Sequence, residues 1–319
     1  MANNNSQIGL GTAAIGRPQY INLRREAADD FSLAEFRKHG KLMLNEAYRK
    51  GIRYFDTAPG YGIAEQMLID WINENRYEDI EIATKWGYTY VANFNPEAII
   101  HEVKEHSIAR LNQQWEQSKN LLPYLSSYQI HSATLDSGVF ENKQVLTRLG
   151  ELKAKHGLLI GLTTSGPNQS AVIQQSLEIK VGGEALFDVY QVTYNLLDQS
   201  LFWIEKLLLA EEKRIVIKEV LANGRIFPNP DYPHYANLYK QLEALAEKYE
   251  AGIDAIALRF CIDSIKPYMV LSGASNEGHI AENLKSNSFK LEEKELSELQ
   301  QFSVEPEQYW QERKHLEWN

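Results

Sequence analysis

Short runs of apolar and β-branched residues alternate with longer stretches in which apolar positions recur every three or four residues, and this alternation runs along the whole chain. The short runs predict strands over Ile8–Thr12, Arg53–Thr57, Glu81–Lys85, Tyr128–His131, Leu158–Thr163, Asp188–Thr193, Arg214–Val220 and Tyr268–Gly273. Several have little polar interruption, as expected of parallel strands covered on both faces. The periodic stretches predict helices. Leu33, Phe36, Met43, Leu44 and Ala47 share one face and stop before Gly51. Further helices are predicted over Ala64–Asn75, Pro96–Leu111 with its proline in the first turn, Lys143–Lys155, Ser170–Ile179, Leu201–Ala210, Tyr235–Tyr249 and Glu277–Ser286.

Eight strands alternating with helices indicate a closed parallel (β/α)8 barrel, the TIM barrel, occupying residues 1–319 as a single domain. An open doubly wound sheet would need its glycine fingerprint after the first strand. The glycines from Gly9 to Gly16 lack that spacing, and no helical pattern follows them directly. A last amphipathic helix over Glu292–Phe302 and an aromatic, charged tail from Glu305 to Asn319 read as an extension of the barrel.

Composition narrows the function classes. The chain has 319 residues, 44% of them hydrophobic and 24% charged, the balance of an ordinary globular enzyme. A net charge of −10 lacks the basic face that nucleic acid requires. No run approaches the roughly 18 apolar residues of a membrane span. The first residues, Met1 to Gln7, have neither a basic nor an apolar stretch, so they do not read as a signal peptide. The lone Cys261 suits a reducing compartment. The expectation is a cytoplasmic enzyme with a small-molecule substrate and neither a nucleic-acid nor a membrane partner; oligomeric state is left open.

In a βα barrel, chemistry collects at the C-terminal ends of the strands. Asp56 ends the second predicted strand, Lys85 the third and His131 the fourth, while Tyr61 lies on the loop between the second strand and its helix. A carbonyl that accepts hydride needs a proton on its oxygen, and an ordinary phenol is a reluctant acid. A nearby ammonium would lower that barrier, Asp56 would hold the lysine, and His131 would orient the carbonyl by a hydrogen bond. Each residue alone has a plainer reading: a rim ion pair, a satisfied histidine, a Pro-Gly turn. The argument rests on their placement at matching ends of neighbouring strands.

The segments Gly51-Ile-Arg-Tyr-Phe-Asp-Thr-Ala-Pro-Gly-Tyr-Gly62, with Glu65 downstream, Ala83-Thr-Lys-Trp-Gly87 and Gln129-Ile-His131 resemble, in order, the signature segments of the aldo-keto reductases. The resemblance runs from Gly9 to about Asn283. It implies an oxidoreductase that reduces an aldehyde or ketone to the alcohol, or runs the reverse, with Tyr61 as general acid. The coenzyme implied is NADPH, with NADH possible. By the same resemblance the coenzyme contacts are Gly11, Thr12, Thr163, Thr164, Gln191, Lys218, Leu221, Gly224, Ser275, Asn276, His279, Glu282 and Asn283.

Several of those positions depart from the family pattern. Thr164 stands where the family has an Asn. Lys218 replaces a Tyr that stacks on nicotinamide; it either contacts a cofactor phosphate or ribose, or forms a rim ion pair with Glu219 or Asp188. Gly273 and His279 stand where NADP-preferring relatives place a Lys and an Arg. Tyr20 and Trp86 are the expected substrate walls, and Tyr309 or Trp310 either reaches the barrel mouth or packs outside it. No metal is expected, because His101 and His106, five apart on the predicted helix, diverge by about 140° and read as surface residues. Cys261 reads as core. Two other readings compete: a nicotinamide-binding regulatory protein of the same fold with little turnover, and a non-redox barrel enzyme holding a substrate phosphate at Ser275.

Overall fold

The computed structural model describes residues 7–18, 32–95 and 97–317. In chain order its first elements are β1 (Ile8–Gly11), α1 (Ala13–Gly16), α2 (Leu33–Arg49), β2 (Tyr54–Asp56), α3 (Ala64–Glu74), β3 (Glu81–Trp86), β4 (Tyr88–Tyr90), β5 (Glu102–Lys104), α4 (Ile108–Ser118) and β6 (Leu125–Ala133). There follow α5 (Lys143–His156), β7 (Leu159–Thr164), α6 (Gln169–Leu177), β8 (Lys180–Val181), β9 (Glu184–Ala185), β10 (Val189–Thr193), α7 (Glu205–Ala210) and β11 (Arg214–Lys218). The chain ends with α8 (Ala236–Tyr249), α9 (Ile253–Ile265), β12 (Met269–Ser272), α10 (Glu277–Leu284), α11 (Glu293–Gln300) and α12 (Pro306–Lys314).

Eight of these strands close a parallel barrel in the order β1-β12-β11-β10-β7-β6-β3-β2, so the expected (β/α)8 architecture is present. Strand alternation divides the side chains between two cores. Tyr54, Ala83, Val189, Val216 and Leu271 fill the barrel interior, while Phe55, Ile82, Ile160, Tyr190 and Ile217 join the larger core between sheet and helices. Local signals set the helix ends. Ser32 and Glu35 form a reciprocal capping box before α2, and Gly157 closes α5 in the left-handed region.

The predicted helix over Pro96–Leu111 is absent; Pro96 itself lies outside the described residues. In its place β4 and β5 form an antiparallel hairpin, pairing Tyr88 with Lys104 and Tyr90 with Glu102. Helix α4 starts only at Ile108, where the Ser107 hydroxyl accepts from the Arg110 N–H at 3.1 Å. Ile99 and Ile100, within that span, are 97% and 61% exposed, so no helix face is buried there. Consequently His101 and His106 do not share a helix: His101 precedes β5, and His106 lies beyond it with its Nε2 at 2.9 Å from the His131 carbonyl.

The tail packs tightly. In α12 the Tyr309 side chain is fully buried, Arg225 donates to the Tyr309 carbonyl at 3.0 Å, and Arg313 pairs with Glu219 at 2.5 Å. Cys261 is core, as expected, with its thiol 3.4 Å from the Tyr194 carbonyl.

Behind the barrel wall Glu65, in the first turn of α3, is buried. Its carboxyl accepts hydrogen bonds from the hydroxyls of Thr84 and Ser118. Those neutral donors do not offset its dehydration, so burial pushes the carboxyl up to about 7. A folded-state value above the unfolded one means that the native state is favoured at low pH, and that this contribution disappears as pH rises from about 4.5 through about 7. Glu65→Gln is therefore expected to escape a loss of the order of 3 kcal/mol across that window. Urea unfolding of both proteins at several pH values checks this, and parallel stability curves would contradict it.

Candidate active site

The inward polar residues at the C-terminal ends of β2, β3 and β10 meet inside the barrel. The register sets Asp56 opposite Ala83, Lys85 opposite Gln129 and Gln191 opposite Thr163. Lys85 Nζ lies 2.5 Å from Asp56 Oδ2 and donates to the Thr57 carbonyl at 3.0 Å. Gln191 Nε2 donates to the other Asp56 oxygen at 2.6 Å. The Asp56 main chain is held as well, its carbonyl accepting from the Thr12 hydroxyl and Thr12 N–H, both at 2.9 Å. Burial pushes the Asp56 carboxyl up, against the pull of Lys85 and Gln191.

Tyr61 and His131 complete the cluster. The Lys85 ammonium is 4.8 Å from the Tyr61 ring centroid, and the Tyr61 and His131 rings lie 5.5 Å apart, nearly perpendicular. Burial and the Asp56 charge hold the Tyr61 phenol well above its ordinary value, with Arg17 pulling the other way. The sequence had anticipated a phenol lowered by Lys85. In the structure the Asp56 carboxylate stands against that lysine and outweighs it at the resting phenol. Burial, then Lys85 and Arg17, push the His131 imidazole well below its usual value, which leaves it neutral. Its Nδ1 is buried and makes no hydrogen bond among the described residues.

The hydroxyl of Thr163 reaches this rim, accepting from the Ser132 N–H at 2.7 Å, and Ser165 donates to the Ser132 hydroxyl at 3.0 Å. Thr164 faces the other way, with its hydroxyl on the buried Gln169. The same alternation moves Trp86 off the site: it is fully buried on the outside of β3, 5.5 Å from the His106 ring. It is therefore no substrate wall. Tyr88, by contrast, lies beside the cluster, its ring 4.7 Å from that of His131. Tyr20 lies outside the described residues.

Lys218, at the end of β11, donates to the Thr193 hydroxyl at 2.8 Å and is 3.9 Å from Glu219. Asp188 is not its partner, being paired with Lys153. Burial lowers Lys218, while the same dehydration at Glu219 is outweighed by Arg313 and Lys218, which hold that carboxylate at about 2. The tail closes over this end of the rim. Trp310 donates to Asp198 at 3.1 Å, and its ring lies 5.7 Å from the Lys218 ammonium. Leu221 and Gly224 form the tight turn that follows, joined by a 2.9 Å backbone bond.

The remaining predicted contacts sit at and around α10. Asn276 caps the helix by accepting from the His279 N–H at 2.8 Å, and the Ser275 carbonyl is 2.7 Å from His39. Glu282 pairs with Lys285, and Asn283 is buried between Ser272 and Asp254. A Cβ on Gly11 would stand 3.4 Å from the Ser272 carbonyl oxygen, whereas no atom would crowd a side chain at Gly273.

Sequence reasoning missed Arg17, Tyr88 and Glu102. Arg17 was legible only as an isolated cation beyond the first strand. Tyr88 and Glu102 become site residues through the hairpin, which the helical reading of that stretch concealed.

The chain matches the aldo/keto reductase family over residues 7–304. It is 24% identical to the NADH-specific methylglyoxal reductase of Escherichia coli (strain K12), covering 90% of this chain and 91% of that protein. Among solved structures it superposes on the holo form of aldo-keto reductase AKR11C1 from Bacillus halodurans with a TM-score of 0.70, at 22% identity and covering 96% and 95% of the two chains. The glycerol dehydrogenase AKR11B4 from Gluconobacter oxydans gives a TM-score of 0.69 at 20% identity, with 95% of each chain covered. A match across nearly the whole barrel and its rim places this chain in the aldo/keto reductase family of oxidoreductases.

Proposed function

We propose that this chain is a single-domain, nicotinamide-dependent reductase of small uncharged aldehydes or ketones, with Tyr61 as the proton donor. The observation that carries the reading is the convergence of Tyr61, the buried Lys85–Asp56 pair and a neutral His131 at one end of the barrel. When bound, the reduced nicotinamide supplies a hydride to the carbonyl carbon. The protein's part is to bind the carbonyl oxygen and protonate it. Neutral His131 offers an N–H to that oxygen without adding charge. Tyr61, kept as a phenol by its surroundings, has a proton to give. Lys85 then faces the phenolate that forms, so its attraction is greatest after the proton has left, which is where a catalytic interaction is most useful.

The charges at the mouth support an uncharged substrate. Lys85, Arg17, Lys218 and Arg313 each already face a carboxylate: Asp56, Glu102 and, for the last two, Glu219. A substrate carboxylate would have to break one of these pairs.

The residues fit a nicotinamide dinucleotide. Hydroxyls of Thr163, Ser132 and Ser165 cluster beside His131, and the first turn of α10 offers backbone N–H groups and open space at Gly273. A 2′-phosphate fits less well. Residues 273–284 contain no Lys or Arg, but they do contain Glu277 and Glu282. Against the NADPH expected from the sequence, this electrostatic balance favours NADH, as does the NADH-specific relative.

Two measurements test the reading. Tyr61→Phe is expected to lower kcat by roughly 10²–10⁴-fold while leaving coenzyme affinity within severalfold; undiminished turnover would remove Tyr61 from its role. Fluorescence titration of the wild-type protein should show NADH binding at least tenfold tighter than NADPH. The opposite order would show that the 2′-phosphate finds a cation elsewhere.

A further inference from the structure

Arg17 follows α1 and is 2% exposed, although it carries a full charge. One of its terminal nitrogens lies 2.9 Å from the Gly60 carbonyl and 2.6 Å from Glu102 Oε2, and its guanidinium carbon is 5.6 Å from the Tyr61 ring centroid. Two glycines permit this approach. A Cβ on Gly16 would stand 2.2 Å from the Tyr61 carbonyl oxygen, and one on Gly62, whose φ is +63°, would stand 2.3 Å from the Gly16 carbonyl oxygen. The Ile63 N–H donates to that same Gly16 oxygen at 2.8 Å. The backbone bearing Arg17 and the backbone bearing Tyr61 are thus interlocked, and neither can shift without the other. Glu102 reaches the pair from β5 of the hairpin.

We propose that Arg17, held by Glu102, is a positioning residue for the reaction: it fixes the Gly60–Tyr61 backbone and stabilises the phenolate left on Tyr61. The proposal rests on the reading of Tyr61 as acid. When the carbonyl is reduced, by a hydride that a bound nicotinamide would supply, the O–H bond of Tyr61 breaks and the substrate oxygen takes the proton. The electron pair stays on the phenolic oxygen. Among the described residues, the charged and titratable groups facing that phenol are Asp56 from β2, Lys85 from β3, His131 from β6, Glu102 from β5, Glu219 beyond β11, and Arg17. Asp56 opposes both cations and raises the phenol, and His131 is neutral. After burial and Asp56, Arg17 lowers the phenol and Glu102, bonded to that guanidinium, raises it.

That balance makes predictions of opposite sign. Arg17→Gln removes a cation, weakens the acid and should move the alkaline limb of the kcat profile up by about one pH unit, with kcat lowered on the order of tenfold. Arg17→Lys keeps the charge and should restore the limb. Glu102→Gln removes an anion while leaving Arg17 in place and should move the limb down. A purely structural role would lower kcat in all three without moving the limb, or would move it the same way in Arg17→Gln and Glu102→Gln, and either result overturns the proposal. If Arg17→Gln does not fold, the direction of the Glu102→Gln shift decides. Tyr61→Phe, run in parallel, separates the two claims. Undiminished turnover there defeats the Tyr61 reading itself, whereas a collapse there with an unmoved limb in the Arg17 and Glu102 variants defeats this proposal alone.

Discussion

The Lys85–Asp56 ion pair inside the barrel is the constraint on which the site depends. Both side chains are almost entirely removed from water, and dehydrating two charges costs several kcal/mol per ion before their attraction is counted. The cost is met by geometry: Lys85 also bonds the Thr57 carbonyl, and Asp56 accepts from Gln191 across the barrel. Such a pair is stable only if the strands hold their register. A slip of one residue in β3 would turn Lys85 outward and bring Thr84 or Trp86 in. Thr12, Thr57 and Gln191 are therefore supports of the charge pair.

The barrel itself was legible because its signal is redundant. Each strand is a short apolar run followed by a helical period, and eight repetitions leave few other folds. Asp56, Lys85 and His131 were legible because a strand end fixes where a side chain emerges. The errors came where one residue's direction or one segment's class mattered. Trp86 and Thr164 are neighbours of inward residues and so point outward, a distinction that naming them with their motif passed over. The Pro96–Leu111 stretch had helical spacing, but Tyr88–Tyr90 and Val103 pair more readily as strands once Ser107 starts the helix later. Arg17 and Glu102 are 85 residues apart in sequence, and no local pattern reports a contact formed only by folding.

The rim then resolves into three charge clusters with different attachments. Lys85 and Asp56 belong to the barrel. Arg17 and Glu102 join the segment after α1 to the β4–β5 hairpin, while Lys218, Glu219 and Arg313 join the end of β11 to α12. Both appended segments are thus attached to the site through buried or half-buried ion pairs, whose breakage would leave a charge without its partner. The pairing that secures the hairpin and the tail also commits Arg17, Lys218 and Arg313 to carboxylates.

Tyr61 stands between the first two clusters, and beyond its burial both act on the phenol. A matched pair projects little field a few ångströms away, whereas a pair whose members lie at unequal distances projects a net one. Lys85 and Asp56 are both fixed by the barrel and leave little freedom to adjust the phenol. Arg17 lies against the Tyr61 segment, and Glu102 arrives on a hairpin outside the barrel wall. Changes of length or sequence in that hairpin can alter the second pair without disturbing the first. In the proposed reaction the proton donor sits on the loop after β2, between an ion pair fixed by the strands and one that depends on a hairpin outside the wall.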